Sequence, residues 1–584
     1  MTRRRSWISK STLAGAALAI GALSTGLGAC GGDDAKFGEE GGGTSTGGGT
    51  GEGGSEPLVF HPAEGGIRRL LAPQYLSTVR YFFGPAAADA VLAAELLPTD
   101  NPVSGYSAVG NASTPPGLSF PEFYELAAAE VADAAVADVQ QNGSASVLAS
   151  FLPCVGEATP SPTCYAQFAQ QLAPMLFRRP ITQEDVNWIT GIAGDGLAYG
   201  NGNFYTGLRY AILGVLQTPS FLYITEVGTP DPENPGFNKL DAFELASRLS
   251  FFLTDTGPDV TLYEAARDGA LESDAEIQSQ ASRLLATPAA RDTLRRRFTE
   301  FLYLDGAMTA QKDPTIYPEL DDELRQAMVE EVTRLLEDIV WTQGADARGI
   351  YTSSYTFVNA TLADLYGMDP VSGGGWEKQT LPADRAGFLS SGAFLTRASH
   401  AVRTSPTRRG TFIKDRVLCE PVPPPGPGVS TVLPDPGNTP KTTKQLVEQH
   451  MSDPSCRTCH AQFDPFGFAL EHFDAIGRYR DKEEGLELDT TADVWAFGAF
   501  DSPRTLAELL LSDEQARVSF CLMRNILRGS LGHIETPGEE AALRDLHDLF
   551  DASGFDLKQL LSDMTLSQAF RYVDDPTVAD EGDQ

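Results

Sequence analysis

Basic residues are scarce in this chain. Its 584 residues hold 44 Lys and Arg against 79 Asp and Glu, a formal net charge of −35. That imbalance argues against a nucleic-acid partner, because phosphate would be repelled, and it suits a soluble exported body that a basic partner finds by electrostatic steering. Familiar catalytic signatures are missing too. There is no G-x-S-x-G elbow, no H-E-x-x-H and no phosphate-binding glycine loop, so a hydrolase or nucleotide enzyme has no motif to rest on, and whether the chain is an enzyme stays open. No internal repeat with a period of about 20–50 residues is visible. Beyond the N-terminus no stretch is long and apolar enough to span a membrane. Cysteine and histidine are rare, seven of each.

The first 29 residues carry Arg3, Arg4, Arg5 and Lys10 and no acid, followed by an apolar run from Leu13 to Leu27. This is the layout of an export signal, and the run is short for a membrane-spanning helix. It ends in Leu27-Gly28-Ala29-Cys30, which resembles a bacterial lipobox, where cleavage precedes the cysteine and its thiol receives a diacylglyceryl group. Lipidation at Cys30 predicts a membrane-anchored protein of the cell envelope, on the outer membrane or the periplasmic face. Gly31 directly after Cys30 omits the usual acidic inner-membrane retention cue. Arg4-Arg5-Ser6-Trp7-Ile8 also resembles a twin-arginine signal, a route for folded proteins that conflicts with haem attachment after export. Residues 30–57 are mostly Gly, Ser, Thr and acidic, too poor in apolar side chains to offset chain entropy, and predict a flexible tether.

The sparse cysteine and histidine converge on Ser455-Cys456-Arg457-Thr458-Cys459-His460. Two cysteines at i and i+3 with histidine next form the attachment pattern of a c-type haem. On a helix those positions share a face, so both thiols reach the two vinyl groups of one porphyrin. His460 then offers its imidazole to the iron. Composition alone would give this pattern in roughly one chain per thousand, so the signal is fairly specific. Two other outcomes remain open: Cys456 and Cys459 as a local disulfide or free thiols, and a zinc site, for which no second Cys/His pair at ligand spacing is visible. Met523, on a later segment beside Cys521, is the candidate second axial ligand, or else a core methionine. His472 stands too near in sequence, and His450 is expected on the motif's own helix. Arg478 is the candidate partner of a haem propionate, or else part of a structural salt bridge. Asp464-Pro465 reads as the start of a turn.

The folded body reads as mainly α. Apolar stripes at helical spacing run from Ile67 through Leu71 into Tyr75–Phe83, from Phe123 to Val139, from Leu245 to Leu253 and, most clearly, from Asp321 to Trp341. Thr182 with Asp185 and Asp241 with Glu244 mark helix starts. A helix is expected over 442–460, a short hairpin within 485–500, more helix from Arg504 to Phe570, and a frayed acidic end from Asp574. The interrupted proline run Pro421–Pro427 predicts a stiff strap. The composition divides the chain into 1–29 signal peptide, 30–57 tether, 58–230 N-terminal helical region, 231–348 central helical domain, 349–502 domain with the haem motif, and 503–584 C-terminal helical domain. If Cys30 is lipidated, Cys154 and Cys164 face each other across a Pro-rich loop, and Cys419 and Cys521 are left as partners, although six cysteines allow 15 pairings.

Several blocks together resemble the planctomycete cytochrome c-like family, large exported proteins built from tandem domains of unknown function. They are Ile67-Arg68-Arg69-Leu70 through Tyr75 to Gly84, Phe177-Arg178-Arg179-Pro180-Ile181-Thr182, and Leu240-Asp241 through Leu253. A fourth runs from Ser405-Pro406, Arg409-Gly410 and Leu418-Cys419 across the prolines and the haem motif to Asp464-Pro465-Phe466-Gly467 and Phe473-Asp474-Ala475-Ile476-Gly477-Arg478. The last is Cys521 through Arg528 and Gly532. Leu76-Ser77 departs from the polar Asn common in such proteins. The resemblance implies a mainly helical, exported chain that carries haem c and has no defined reaction. Electron transfer, or service as the haem part of a redox complex with an unknown redox or envelope protein partner, is the leading expectation. The alternative is a non-enzymatic surface scaffold with a Cys456–Cys459 disulfide.

Overall fold

The amphipathic stripes fold as helices, and most begin where a short polar side chain stands ready to cap them. Asp241 Oδ1 accepts from the Phe243 and Glu244 amides at 2.8 Å each, and Glu244 reaches back to the Asp241 amide at 3.0 Å. Thr182 and Asp185 do the same for Gln183–Tyr199. Asp321 caps Asp322–Glu337, whose Leu324, Met328, Val332, Leu335 and Leu336 are buried while Asp322, Glu323 and Gln326 are exposed. Each such buried Leu or Val contributes roughly 1.5–3 kcal/mol. The computed structural model describes residues 58–575 apart from 114–116, 118–119, 427–432, 435–436, 438 and 496. The expected signal peptide, Cys30 and the tether lie outside these residues.

The body is mainly α, with only small antiparallel sheets among the described residues. Its interior falls into two large clusters. One spans Tyr75 to Leu222, where the Ala-rich face of Phe120–Asn142 lets Phe204–Leu216 approach closely. The other spans Leu240 to Val573 and takes in the elements around the haem motif. Short strands join them. Gly66–Arg69 pairs with Tyr223–Glu226, and Phe237–Lys239 lies between Thr229–Pro230 and Tyr572–Asp574. At this seam Glu226 receives Arg68 at 3.3 Å and Arg248 at 3.0 Å. Burial acts to raise the Glu226 pKa, but the two guanidinium groups hold it down at about 2. No described helix is long and apolar enough to cross a membrane.

Four local expectations change. Gly66–Arg69 is a strand, because its backbone pairs with the chain returning at Tyr223, and helix begins only at Ala72. The expected helix over 442–460 is two helices, Thr443–His450 and Pro454–His460, since Pro454 has no N–H to continue the first and holds Asp453 extended. The expected single hairpin is two, Lys482–Glu483 with Leu486–Glu487 and Ala492–Val494 with Gly498–Phe500, turning at Gly485 (φ 80°) and Gly498 (φ 102°). Asp574 does not fray, because it pairs with Phe237.

Candidate functional site

Asp453 opens the haem-motif helix by accepting from the Ser455 amide at 2.9 Å, with Pro454 in the first turn. The helix is seven residues long and none of them is buried. Cys456 and Cys459 are both free thiols, so the Cys456–Cys459 disulfide of the alternative is not formed. The other four described cysteines are joined, Cys154 to Cys164 and Cys419 to Cys521, with Cα atoms 5.8 Å and 5.2 Å apart.

His460 ends the helix with its side chain 22% exposed. Its Nδ1 lies 2.7 Å from Asp464 Oδ2. A carboxylate only accepts, so Nδ1 carries a proton, and in the neutral ring the lone pair is then on Nε2. Nε2 has no hydrogen-bond partner among the described residues. Asp464 is fully buried, and among the described residues its Oδ1 has no partner and no Lys or Arg pairs with it. It opens the short helix Asp464–Phe468, which packs backbone against backbone on Pro406–Phe412. A Cβ at Gly410 would overlap the Phe463 carbonyl oxygen, and one at Gly467 would overlap that of Pro406. This contact sets His460 beside the segment that carries His400 and Arg408.

These elements enclose a cavity of about 550 Å³, within the roughly 300–1,000 Å³ of cofactor and small-molecule sites. Cys456, Cys459 and His460 line it, together with His450, His400 and Arg408. Apolar walls come from Val422, Pro423, Pro424, Leu433, Val447 and Phe463, so the proline strap forms one side. The His450 and His460 ring centroids are 5.0 Å apart and nearly perpendicular. Rings in such edge contact leave no room between them for a planar macrocycle.

The far corner is cationic, against the trend of an acidic chain. Burial pushes the His400 imidazole down to about 4, and Arg408, Arg403 and Lys312 push the same way. Lys312, whose Nζ donates to the His400 carbonyl at 2.8 Å, is itself brought down to about 7, first by burial and then by Arg409, Arg408 and Arg325. Arg408 donates to the Ser399 carbonyl at 3.0 Å and has no carboxylate partner among the described residues. Behind it lies a buried ion cluster. Glu471 receives Arg409 at 3.2 Å, Arg480 at 3.3 Å and the Thr404 hydroxyl at 2.7 Å. Arg409 also donates to the carbonyls of Leu470, Phe473 and Asp474 and to the Ser399 hydroxyl. Both Arg409 and Glu471 are fully buried.

Cys456, Cys459 and His460 are thus brought together on one cavity. Met523 and Arg478 are not brought to it. Met523 is fully buried in the larger core cluster, on Arg517–Leu531. Arg478 pairs with Glu319. His472 is held by the Arg480 carbonyl at 2.9 Å and stacks on Tyr479. His450 stands on its own helix and reaches the cavity after all. The histidine partner Asp464 and the corner residues His400 and Arg408 are what motif reading missed. Four-residue spacing from His460 was the available signal for Asp464, whereas nothing local announces His400 or Arg408.

Three family models match in tandem. Residues 164–226 match PSD5, a protein of unknown function (DUF1595), residues 240–368 match PSD4, a protein of unknown function (DUF1592), and residues 385–483 match PSCyt3, a protein of unknown function (DUF1588). The last contains the whole Cys456–His460 motif and the cavity residues from His400 onward. No curated protein and no solved structure matches the chain. In this order on one chain, the three domains show that it belongs to the planctomycete cytochrome c-like family of multi-domain proteins.

Proposed function

We propose that this chain is an envelope lipoprotein that carries one covalently attached haem c and works in electron transfer, alone or as the haem part of a redox complex. The observation that carries this is one cavity lined by two free thiols at i and i+3 and by an imidazole whose Nδ1 is engaged and whose Nε2 is not. The donor set fits the group. Cys456 and Cys459 would each add across a vinyl group, sulfur bonding one carbon and hydrogen the other. His460 would take one axial position. The apolar strap would exclude water from the macrocycle, and Arg408 would meet its anionic edge. When bound, the iron would supply reversible one-electron exchange. As a second iron ligand the cavity would offer His400, while Met523 would have to leave the core to serve. Lipid at Cys30 would hold the body at the membrane surface, and the acidic surface would favour a basic redox partner.

A haem stain after denaturing electrophoresis tests the centre of this proposal. Chain co-expressed with the attachment machinery should give a band that survives denaturation, and the Cys459→Ser variant should weaken it strongly. A wild-type chain without a band would end the cytochrome reading. Incorporation of labelled fatty acid, lost in Cys30→Ala, tests the anchor.

A further inference from the structure

We propose that Asp464 is a positioning residue for His460, fixing the ring through Nδ1 and biasing the bound iron toward its oxidised state, so that the chain is a low-potential electron donor. The inference rests on the haem reading. Its starting point is a charge imbalance. Asp464 is fully buried, one oxygen accepts from His460 at 2.7 Å, and the other has no partner. Burying a carboxylate is costly unless a cation or several donors compensate it. This chain supplies such compensation a few residues on, where Glu471 is met by two arginines and a hydroxyl. Asp464 is met by one imidazole alone. A neutral imidazole that gives its Nδ1–H to a carboxylate has a single electron pair left, on Nε2, where a metal cation would supply positive charge.

The consequence follows from electrostatics. Oxidation of ferrous to ferric iron removes one electron and makes or breaks no bond, so it adds one positive charge to the site. A nearby buried carboxylate is poorly screened and favours the more positive state. A ring hydrogen-bonded to a carboxylate is also a more basic ligand, which acts in the same direction. Asp464 further holds the ring against rotation, and the close packing at Gly410 and Gly467 holds Asp464.

The test is a redox titration of the haem-bearing full-length chain and its Asp464→Asn variant, with a haem stain of both samples. Asn keeps the shape and removes the charge. The variant should keep its haem and show at least a tenfold higher reduced-to-oxidised ratio at equal applied potential, an upward shift of about 59 mV for a one-electron couple. An unchanged potential with the stain present in both overturns the inference and leaves the haem reading standing. A wild-type chain without stain overturns both. If the variant does not fold, resonance Raman of the wild-type chain after photolysis of bound carbon monoxide gives the answer. The iron–imidazole stretch should lie above that of a c-type haem whose histidine donates to a backbone carbonyl, and an equal frequency overturns the proposal.

Discussion

Glu471 and Asp464 are fully buried carboxylates on neighbouring turns, and the fold treats them differently. Glu471 is enclosed by Arg409, Arg480 and Thr404. Asp464 holds one histidine and leaves one oxygen bare. In the first, both carboxylate oxygens are engaged, which ties 404–409 to 471–480. In the second, the proposed haem iron would add positive charge beyond the histidine. The cysteines divide the same way: Cys419 and Cys521 are joined to each other, whereas Cys456 and Cys459 are open toward a cavity. The joined groups hold the scaffold, and the open ones are those that the proposed haem would engage.

The largest test of this contrast is Glu471→Ala, which strands Arg409 in the interior and should cost about 3–5 kcal/mol in urea denaturation. Asp464→Asn should cost about 1–2 kcal/mol, since only one hydrogen bond is altered. Equal losses would make Asp464 as structural as Glu471. Replacing Cys419 and Cys521 together by Ser should cost about 2–4 kcal/mol by freeing a long loop in the unfolded chain.

Glu331 extends the comparison to a buried carboxyl held by the hydroxyls of Thr356 at 2.8 Å and Tyr366 at 2.6 Å, with no ion pair among the described residues. Burial pushes it up from 4.5 to about 7. The folded state therefore binds a proton that the unfolded state releases. Its contribution to stability is full below about 4.5 and is lost as the pH rises through about 7. Glu331→Gln should flatten the denaturation midpoint against pH in that window.

Two smaller effects sharpen the site's boundary. Met523→Leu should cost less than about 1.5 kcal/mol and leave the haem spectrum unchanged, because this methionine packs in the core away from the cavity. A lost or shifted Soret band would return Met523 to the iron. Cys456→Ser should change stability by no more than about 0.5 kcal/mol while abolishing one thioether attachment, measured by mass spectrometry of the haem peptide.

Much of the site's first layer was legible in the chain. Thiol spacing of i and i+3 is a covalent requirement of a two-point attachment, and it shows in any sequence that meets it. Helix starts were legible for a similar reason, since Asp241 with Glu244 and Thr182 with Asp185 act on amides two or three residues away. The cysteine count alone allows 15 pairings, and only setting Cys456 and Cys459 aside for haem left the two pairs that the structure joins. Long-range placement was not legible. Met523 and His400 are both single residues on distant elements, and no local pattern distinguishes a core methionine from an axial one.

Sequence by itself determined the mainly helical character, the caps, the acidic surface and the thiol–thiol–imidazole triplet, because propensity, capping and attachment chemistry act over a few residues. Tertiary structure alone decided which carboxylates are compensated, which histidines share the cavity, and that Arg478 goes to Glu319. Those outcomes depend on how helices far apart in the chain pack, and burial, which fixes the cost of every uncompensated charge, exists only after they have done so.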